Sequence, residues 1–277
     1  MTDNNQEWQY WDERRHKVIS KRGGWQVGIG VHNCGYDMMK DLAGKKNYFQ
    51  VLTLNSIGRL PSEEFGKWLG ALFICLSWPD PRIWCNTMGA LSGTLKARIG
   101  SGVASGILSS DSPMFGGNEV MLISSTFIQD AQKEREKGKS VDVVIKEDLE
   151  RRAKIMRKPV IPGYARPLAT GDERVPTMTN FARKLGFPVG KHEQLASEIN
   201  EYLLETQNES INIGGYFAAF MSDQGFTPKE NMRILTTLVN NGVHACHVEE
   251  EDNPPLSFMP MTCDDVDYRG PAKRSVD

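Results

Sequence analysis

Behind Pro61-Ser62-Glu63-Glu64, apolar residues recur three and four positions apart: Phe65, Trp68, Leu69, Leu72, Phe73 and Leu76 fall on one helical face. The proline and the acidic pair suit the positive end of a helix, and Pro79 and Pro81 stop it. The same logic predicts short helices over Tyr36–Leu42, ended by Gly44, and over Tyr48–Ser56, ended by Gly58. Asn118–Lys137 passes from apolar to charged before Gly138 closes it, and Val141–Lys158 is a charged helix ended by Pro159. Helices are also expected over Thr177–Leu185, His192–Gln207, Ile213–Asp223 and Pro228–Val248. Trp25–Val31 alternates in character and reads as a short strand or hairpin arm. Strands are otherwise scarce, so the fold class is all-α.

Ile83–Leu108 departs from an ordinary amphipathic pattern. It carries Gly89, Ala90, Ser92, Gly93, Ala97, Gly100, Gly102, Ala104 and Gly106. Each glycine lowers helix propensity by about 1 kcal/mol, so such a run makes sense where other helices approach closely. It is expected to be a central packed helix, broken near Gly100–Gly102 and suited to a subunit interface. Lys96 and Arg98 argue against a membrane span. The segment Pro159–Arg174, with its prolines and glycines, is a loop, and Glu249–Asp277 is a tail or an arm.

Composition narrows the class. A chain of 277 residues is long enough for one large domain or two modest ones with a core that needs no staples. Its 25% of charged residues leave a net charge of -2, which gives no reason to expect nucleic acid or a membrane surface as a partner. The five cysteines, Cys34, Cys75, Cys85, Cys246 and Cys263, are odd in number and form no CxxC pair. That speaks against a disulfide framework or zinc knuckle and for a reducing cytoplasm. Met1–Trp11 is polar and lacks the apolar core of a secretory signal, and the uncharged stretches Trp68–Pro79 and Ile99–Ser110 are too short to span a bilayer.

Three short segments carry more specific information: Met114-Phe115-Gly116-Gly117, Pro162-Gly163-Tyr164-Ala165-Arg166 and Asn212-Ile213-Gly214-Gly215. In order and spacing they resemble the Leu-His-Gly-Gly, Pro-Gly-Tyr-Gly-His and Asn-Val-Asp-Gly corners of the citrate synthase and citryl-CoA lyase superfamily. Gly35-Tyr36-Asp37, Gly58-Arg59-Leu60-Pro61 and Ala245-Cys246-His247-Val248-Glu249-Glu250 extend the resemblance towards both ends of the chain. The short length suits the citryl-CoA lyase-like branch. The resemblance implies a two-domain α-helical homodimer, with residues 1–116 and 211–277 as a large domain and 117–210 as a small one. It further implies no covalently bound cofactor, a CoA thioester as substrate, and a carbon–carbon bond made or broken between an acyl-CoA and an organic oxo acid. That chemistry needs a base, a donor for the enolate oxygen and an acid.

The corners that carry His, His and Asp in the superfamily correspond to Phe115, Arg166 and Gly214. Phe115 offers an apolar wall and no hydrogen bond; as a plain residue it is a core phenylalanine after a turn. Gly116 and Gly117 permit a tight turn or a close backbone approach. Arg166 cannot titrate, but its fork suits a carboxylate or phosphate; equally it is a surface arginine before Pro167. Arg174 resembles the superfamily's arginine for the substrate carboxylate, or else pairs with Asp172 or Glu173. Gly163 and Tyr164 are expected beside the ligand. Arg82 and Asn86 fall where a further substrate-binding region is expected, with Asp80 either part of it or a helix cap. Gly214 leaves no carboxylate, and no acid stands within a turn to replace it. His244 and His247, three apart, have metal-ligand spacing with Glu250 or Glu251, but are read as a solvated helix end, so no metal is assigned. An enzyme with reassigned residues is the first reading; a non-catalytic descendant that binds a CoA ester or a partner protein is the second.

Overall fold

The computed structural model describes residues 4–112, 118–166 and 170–276. Among them helices are the dominant element, and three short strands make a single antiparallel sheet. The helices are α1 Asn4–Asp12, α2 Tyr48–Ile57, α3 Glu63–Leu76, α4 Trp84–Thr94, α5 Ile99–Ser110 and α6 Asn118–Glu136. They continue with α7 Val141–Ala153, α8 Arg174–Lys184, α9 Lys191–Gln207, α10 Ile213–Asp223, α11 Pro228–Leu235 and α12 Asn240–Asp252. The strands are β1 Gly23–Gln26, β2 Gly30–Asn33 and β3 Tyr36–Asp37, paired in sequence order with Trp25 opposite Val31 and His32 opposite Asp37.

Several expectations shift. Cys34 and Gly35 both have positive φ, 48° and 88°. They form the tight turn that returns β2 to β3, so Tyr36 begins as strand and only Met38–Leu42 is helical, as a π-helical turn. Helix α1 falls in the polar N-terminal stretch, outside the expected helices. The small-residue segment is two helices, and its break falls at residues 95–98, ahead of the expected Gly100–Gly102. The reason is local: Lys96 takes a left-handed φ of 56°, and its N–H and that of Ala97 close the end of α4 on the carbonyls of Gly93 and Ser92. The last expected helix is likewise two, α11 and α12, separated by a turn at residues 236–239 that begins with the pair Thr236-Thr237.

The chain divides into two compact units, Met1–Leu72 with Val120–Leu235, and Phe73–Glu119 with Thr236–Asp277.

In the first unit, α2 begins with a reciprocal cap. Asn47 Oδ1 accepts from the Gln50 N–H at 3.0 Å and Gln50 Oε1 accepts from the Asn47 N–H at 3.1 Å. The apolar face of α3 that lies in this unit is buried as its spacing requires, with Trp68 stacked on Phe220 of α10 at 3.9 Å between ring centres. A second core gathers Phe127, Ile128 and Ala131 of α6, Val144 and Ile145 of α7, Leu195, Ile199 and Leu203 of α9, and Ala218 and Ala219 of α10. Helix α10 is buried at every position from Ile213 to Ser222. A helix without a polar face must be enclosed on all sides.

In the second unit, α4, α5 and α12 explain the glycines. A Cβ at Gly89 or Gly93 of α4 would strike the α12 backbone at Val243 or His247, and one at Gly102 or Gly106 of α5 would strike the His247 ring or the Val243 side chain. His247 is therefore wholly buried and is not a solvated helix end, while His244 is exposed. The strained Lys96 has a compensating use. Its ammonium donates to the carbonyls of Glu250 at 3.2 Å, Glu251 at 2.5 Å and Asn253, and so covers the negative end of α12. No helix among the described residues is long and apolar enough to cross a membrane.

Candidate functional site

Two of the three sequence corners meet in the first unit. Gly163 has φ of 89°, and its carbonyl accepts from the Asn212 N–H at 2.8 Å. Asn212 is the N-cap of α10. Its Oδ1 accepts from the N–H groups of Gly214 and Gly215 at 2.9 and 3.1 Å, and its Nδ2 donates to the Ala165 carbonyl at 2.7 Å. A Cβ at Gly163 would lie 2.5 Å from the Gly215 Cα, so the approach of the two backbones requires glycine on both sides. A Cβ at Gly214 meets softer neighbours, the Met121 methyl of α6 at 3.2 Å and Asn212 Oδ1 at 3.1 Å. Phe115, Gly116 and Gly117 lie outside the described residues.

The segment from Arg166 to Arg174 carries two arginine–carboxylate forks. Arg174 donates through Nε and Nη2 to the two oxygens of Asp172, both at 2.7 Å. The Asp172 side chain has no exposure, and its Oδ2 also accepts from the Ile213 N–H at 2.9 Å. Burial pushes the Asp172 carboxyl up, but the Arg174 fork and the Ile213 N–H outweigh it and hold it below the usual carboxylate range. Arg166 donates through Nη1 to Glu173 Oε2 at 2.8 Å and to the Gly171 carbonyl at 3.1 Å, and through Nη2 to Glu173 Oε1 at 3.3 Å. Glu173 in turn is held low by Arg166.

These contacts settle what the corner offers. The first three N–H groups of α10 are engaged by Asp172 and Asn212, so this helix start presents no ready oxyanion donor. The carboxylate at the start of α10 is Asp172, a residue foreseen only as a partner for Arg174. The Asp-x-Arg spacing signals that pair, but nothing local signals its reach to Ile213. With its proton held off by Arg174, Asp172 is a poor base. Tyr164 is a core side chain; its hydroxyl donates to the Ala196 carbonyl at 3.3 Å, and burial pushes its pKa up.

Arg82 and Asn86 belong to the second unit. Arg82 is 88% exposed and forks onto Asp80, which also accepts from the Arg82 N–H and is held at about 2 by that contact. Asp80 thus closes a turn and does not cap α4, whose N-cap position is Ile83. Buried Asn86 gives both its amide hydrogens to the carbonyls of Trp78 and Asp80, at 2.9 and 3.0 Å, and so braces that turn. Among the described residues no group of three or more His, Cys, Asp or Glu is placed to hold a metal ion.

Neither a family model nor a curated protein matches the sequence. Solved structures do match the coordinates. The citryl-CoA lyase from Hydrogenobacter thermophilus superimposes with a TM-score of 0.77 over 94% of this chain and 97% of that one, at 23% identity. The chain has the citrate synthase-like fold. A Methanosaeta concilii ATP citrate lyase mutant in complex with (3S)-citryl-CoA shares this fold, with a TM-score of 0.75 and 16% identity over 99% of this chain but 45% of that one. Citrate synthase from Thermoplasma acidophilum, in a ternary complex with carboxymethyl-coenzyme A and oxaloacetate, matches 83% of this chain and 59% of that one with a TM-score of 0.62 and 16% identity. The citrate synthase-like fold accounts for the nearly strand-free architecture and for the order of the helices.

Proposed function

We propose that this chain is a short, citryl-CoA lyase-like member of the citrate synthase superfamily that binds a CoA thioester and an organic oxo acid and makes or breaks a carbon–carbon bond between them. One observation carries the reading. The fold runs nearly end to end with that of a citryl-CoA lyase, and the resembling segments at Gly163 and Gly214 are in contact. In this reading Phe115 shapes the pocket and Arg166 holds an anionic group. The protein is a cytoplasmic homodimer with a small domain inserted near residues 117–210. The uncharged helix α5, which leaves Leu108 exposed, suits the face of a second copy.

A second reading, a non-catalytic CoA-ester binder, is favoured by the chemistry of the corner itself. Gly214 brings no carboxylate, and Asp172 is locked to Arg174. Each missing catalytic group lowers the rate by roughly a hundredfold or more.

Acetyl-CoA is expected to raise the melting temperature of the purified protein, since a ligand that binds only the folded state stabilises it by mass action. No shift with any of a panel of CoA thioesters would count against both readings. Mass spectrometry after incubation with acetyl-CoA and 2-oxo acids, or with 3-hydroxyacyl-CoA thioesters, separates them: product supports the enzyme. The triple variant Phe115→His, Arg166→His, Gly214→Asp is expected to show lyase or synthase activity if the cleft is intact. Silence from a folded, CoA-binding triple variant would sink the assignment of these three corners.

A further inference from the structure

The two forks between Arg166 and Arg174 look alike in bonding and differ in setting. Asp172 is enclosed and tied to the start of α10, so its pair with Arg174 is part of the fold. The Glu173 side chain is 70% exposed. It occupies the N-cap position of α8 yet makes no capping bond there; it reaches back across the loop to Arg166. The guanidinium it meets is the better anchored partner. The Arg166 side chain is only 24% exposed, and its Nη1 is also held by the Gly171 carbonyl. Glu173 thus presents two carboxylate oxygens to two guanidinium nitrogens, which is how an arginine receives the carboxylate of a bound acid.

We propose that Arg166 is a receptor for the carboxylate of an organic acid, and that Glu173 is a resident carboxylate that keeps this receptor closed until a ligand displaces it. The inference rests on reading this corner as part of an organic-acid cleft. An exposed pair of this kind is weak, closed over open by about fivefold at most. It therefore lowers ligand affinity by the same factor without abolishing it. When Glu173 swings out, its carboxylate enters solvent, and the Gly171 carbonyl keeps the guanidinium in place. The Asp172 fork cannot serve in this way, because opening it would strand a buried charge and uncap α10. Glu173 is in these terms a specificity-determining residue: it sets how well a ligand carboxylate must fit in order to enter.

The experiment is a calorimetric titration of oxaloacetate, with acetate as a minimal carboxylate, into the full chain at fixed ionic strength. Wild type, Glu173→Gln, Arg166→Gln and the double variant are compared. Glu173→Gln is expected to bind oxaloacetate more tightly than wild type, by up to about fivefold. Arg166→Gln should weaken binding and erase the gain in the double variant. A merely structural Glu173 would change the melting temperature and leave affinity alone. Glu173→Asp, too short to close the fork, is expected to reproduce the gain if the glutamine variant folds poorly. Affinity in both position-173 variants equal to or below that of wild type, or no oxaloacetate binding by either, overturns the proposal. CoA-thioester binding is measured on the same samples. Its absence with the Glu173→Gln gain intact overturns the proposed function alone, and its presence without the gain overturns only the gate.

Discussion

Gly163→Ala is expected to lower the stability of the protein by about 3 kcal/mol. Two effects add. An L side chain in the left-handed region is disfavoured by roughly 1–2 kcal/mol, and Gly163 sits there with φ of 89°. The new methyl would also lie 2.5 Å from the Gly215 Cα. That neighbour is backbone and cannot rotate away, so the corner must open, at a penalty of about 1–3 kcal/mol for overpacking. Opening it lengthens the bond from the Asn212 N–H to the Gly163 carbonyl and loosens the cap of α10. Urea denaturation checks this: the midpoint should fall while the slope stays unchanged. Gly214→Ala is the control. Its methyl meets a flexible thioether and a side-chain oxygen beyond 3 Å, so its effect should be the smaller of the two. Equal losses for both variants would mean that the close approach at Gly163 is not what holds the corner.

Asp172→Asn should have an effect of similar size, by a different route. The substitution keeps the shape of the side chain but removes the negative charge that the largely covered Arg174 guanidinium forks onto. Removing one partner of a buried pair costs about 3–5 kcal/mol. The pH dependence gives a second readout. Burial raises the Asp172 pKa, the Arg174 fork and the Ile213 N–H lower it by more, and the net folded value lies below that of the unfolded chain. A depressed folded pKa contributes stability that is complete above the unfolded value, about 4, and is lost as the pH falls through the folded one. Wild type and Asp172→Asn should therefore differ most at neutral pH and converge in acid. A constant gap down to the acid limit would show that Asp172 is not ionised in the folded protein.

Much of the fold was legible because its signals are local. The apolar spacing of α3 and the glycines that end α2 and α6 each act within a few residues, and the observed bounds of α10 are those the sequence suggests. Contacts distant in sequence were less legible. The small residues of α4 and α5 imply a close neighbour but do not say that it is α12, or that His247 fills the space over Gly102. The break at Lys96 was hidden because a lysine in the left-handed region is compensated by three carbonyls about 155 residues further on. The candidate site shows the same split. The pairing of Arg174 with Asp172 follows from their spacing, whereas the burial of Tyr164 under α9 and the bracing role of Asn86 depend on packing and on which carbonyls the fold brings near.

Residues 212 and 213 make three hydrogen bonds to the chain at 163, 165 and 172, and they bind that loop to the first turn of a helix with no outward face. The freedom those loop positions would otherwise have is surrendered when the protein folds. A ligand that bound at these positions would meet backbone already ordered, so little of its binding free energy would be diverted into ordering the polypeptide.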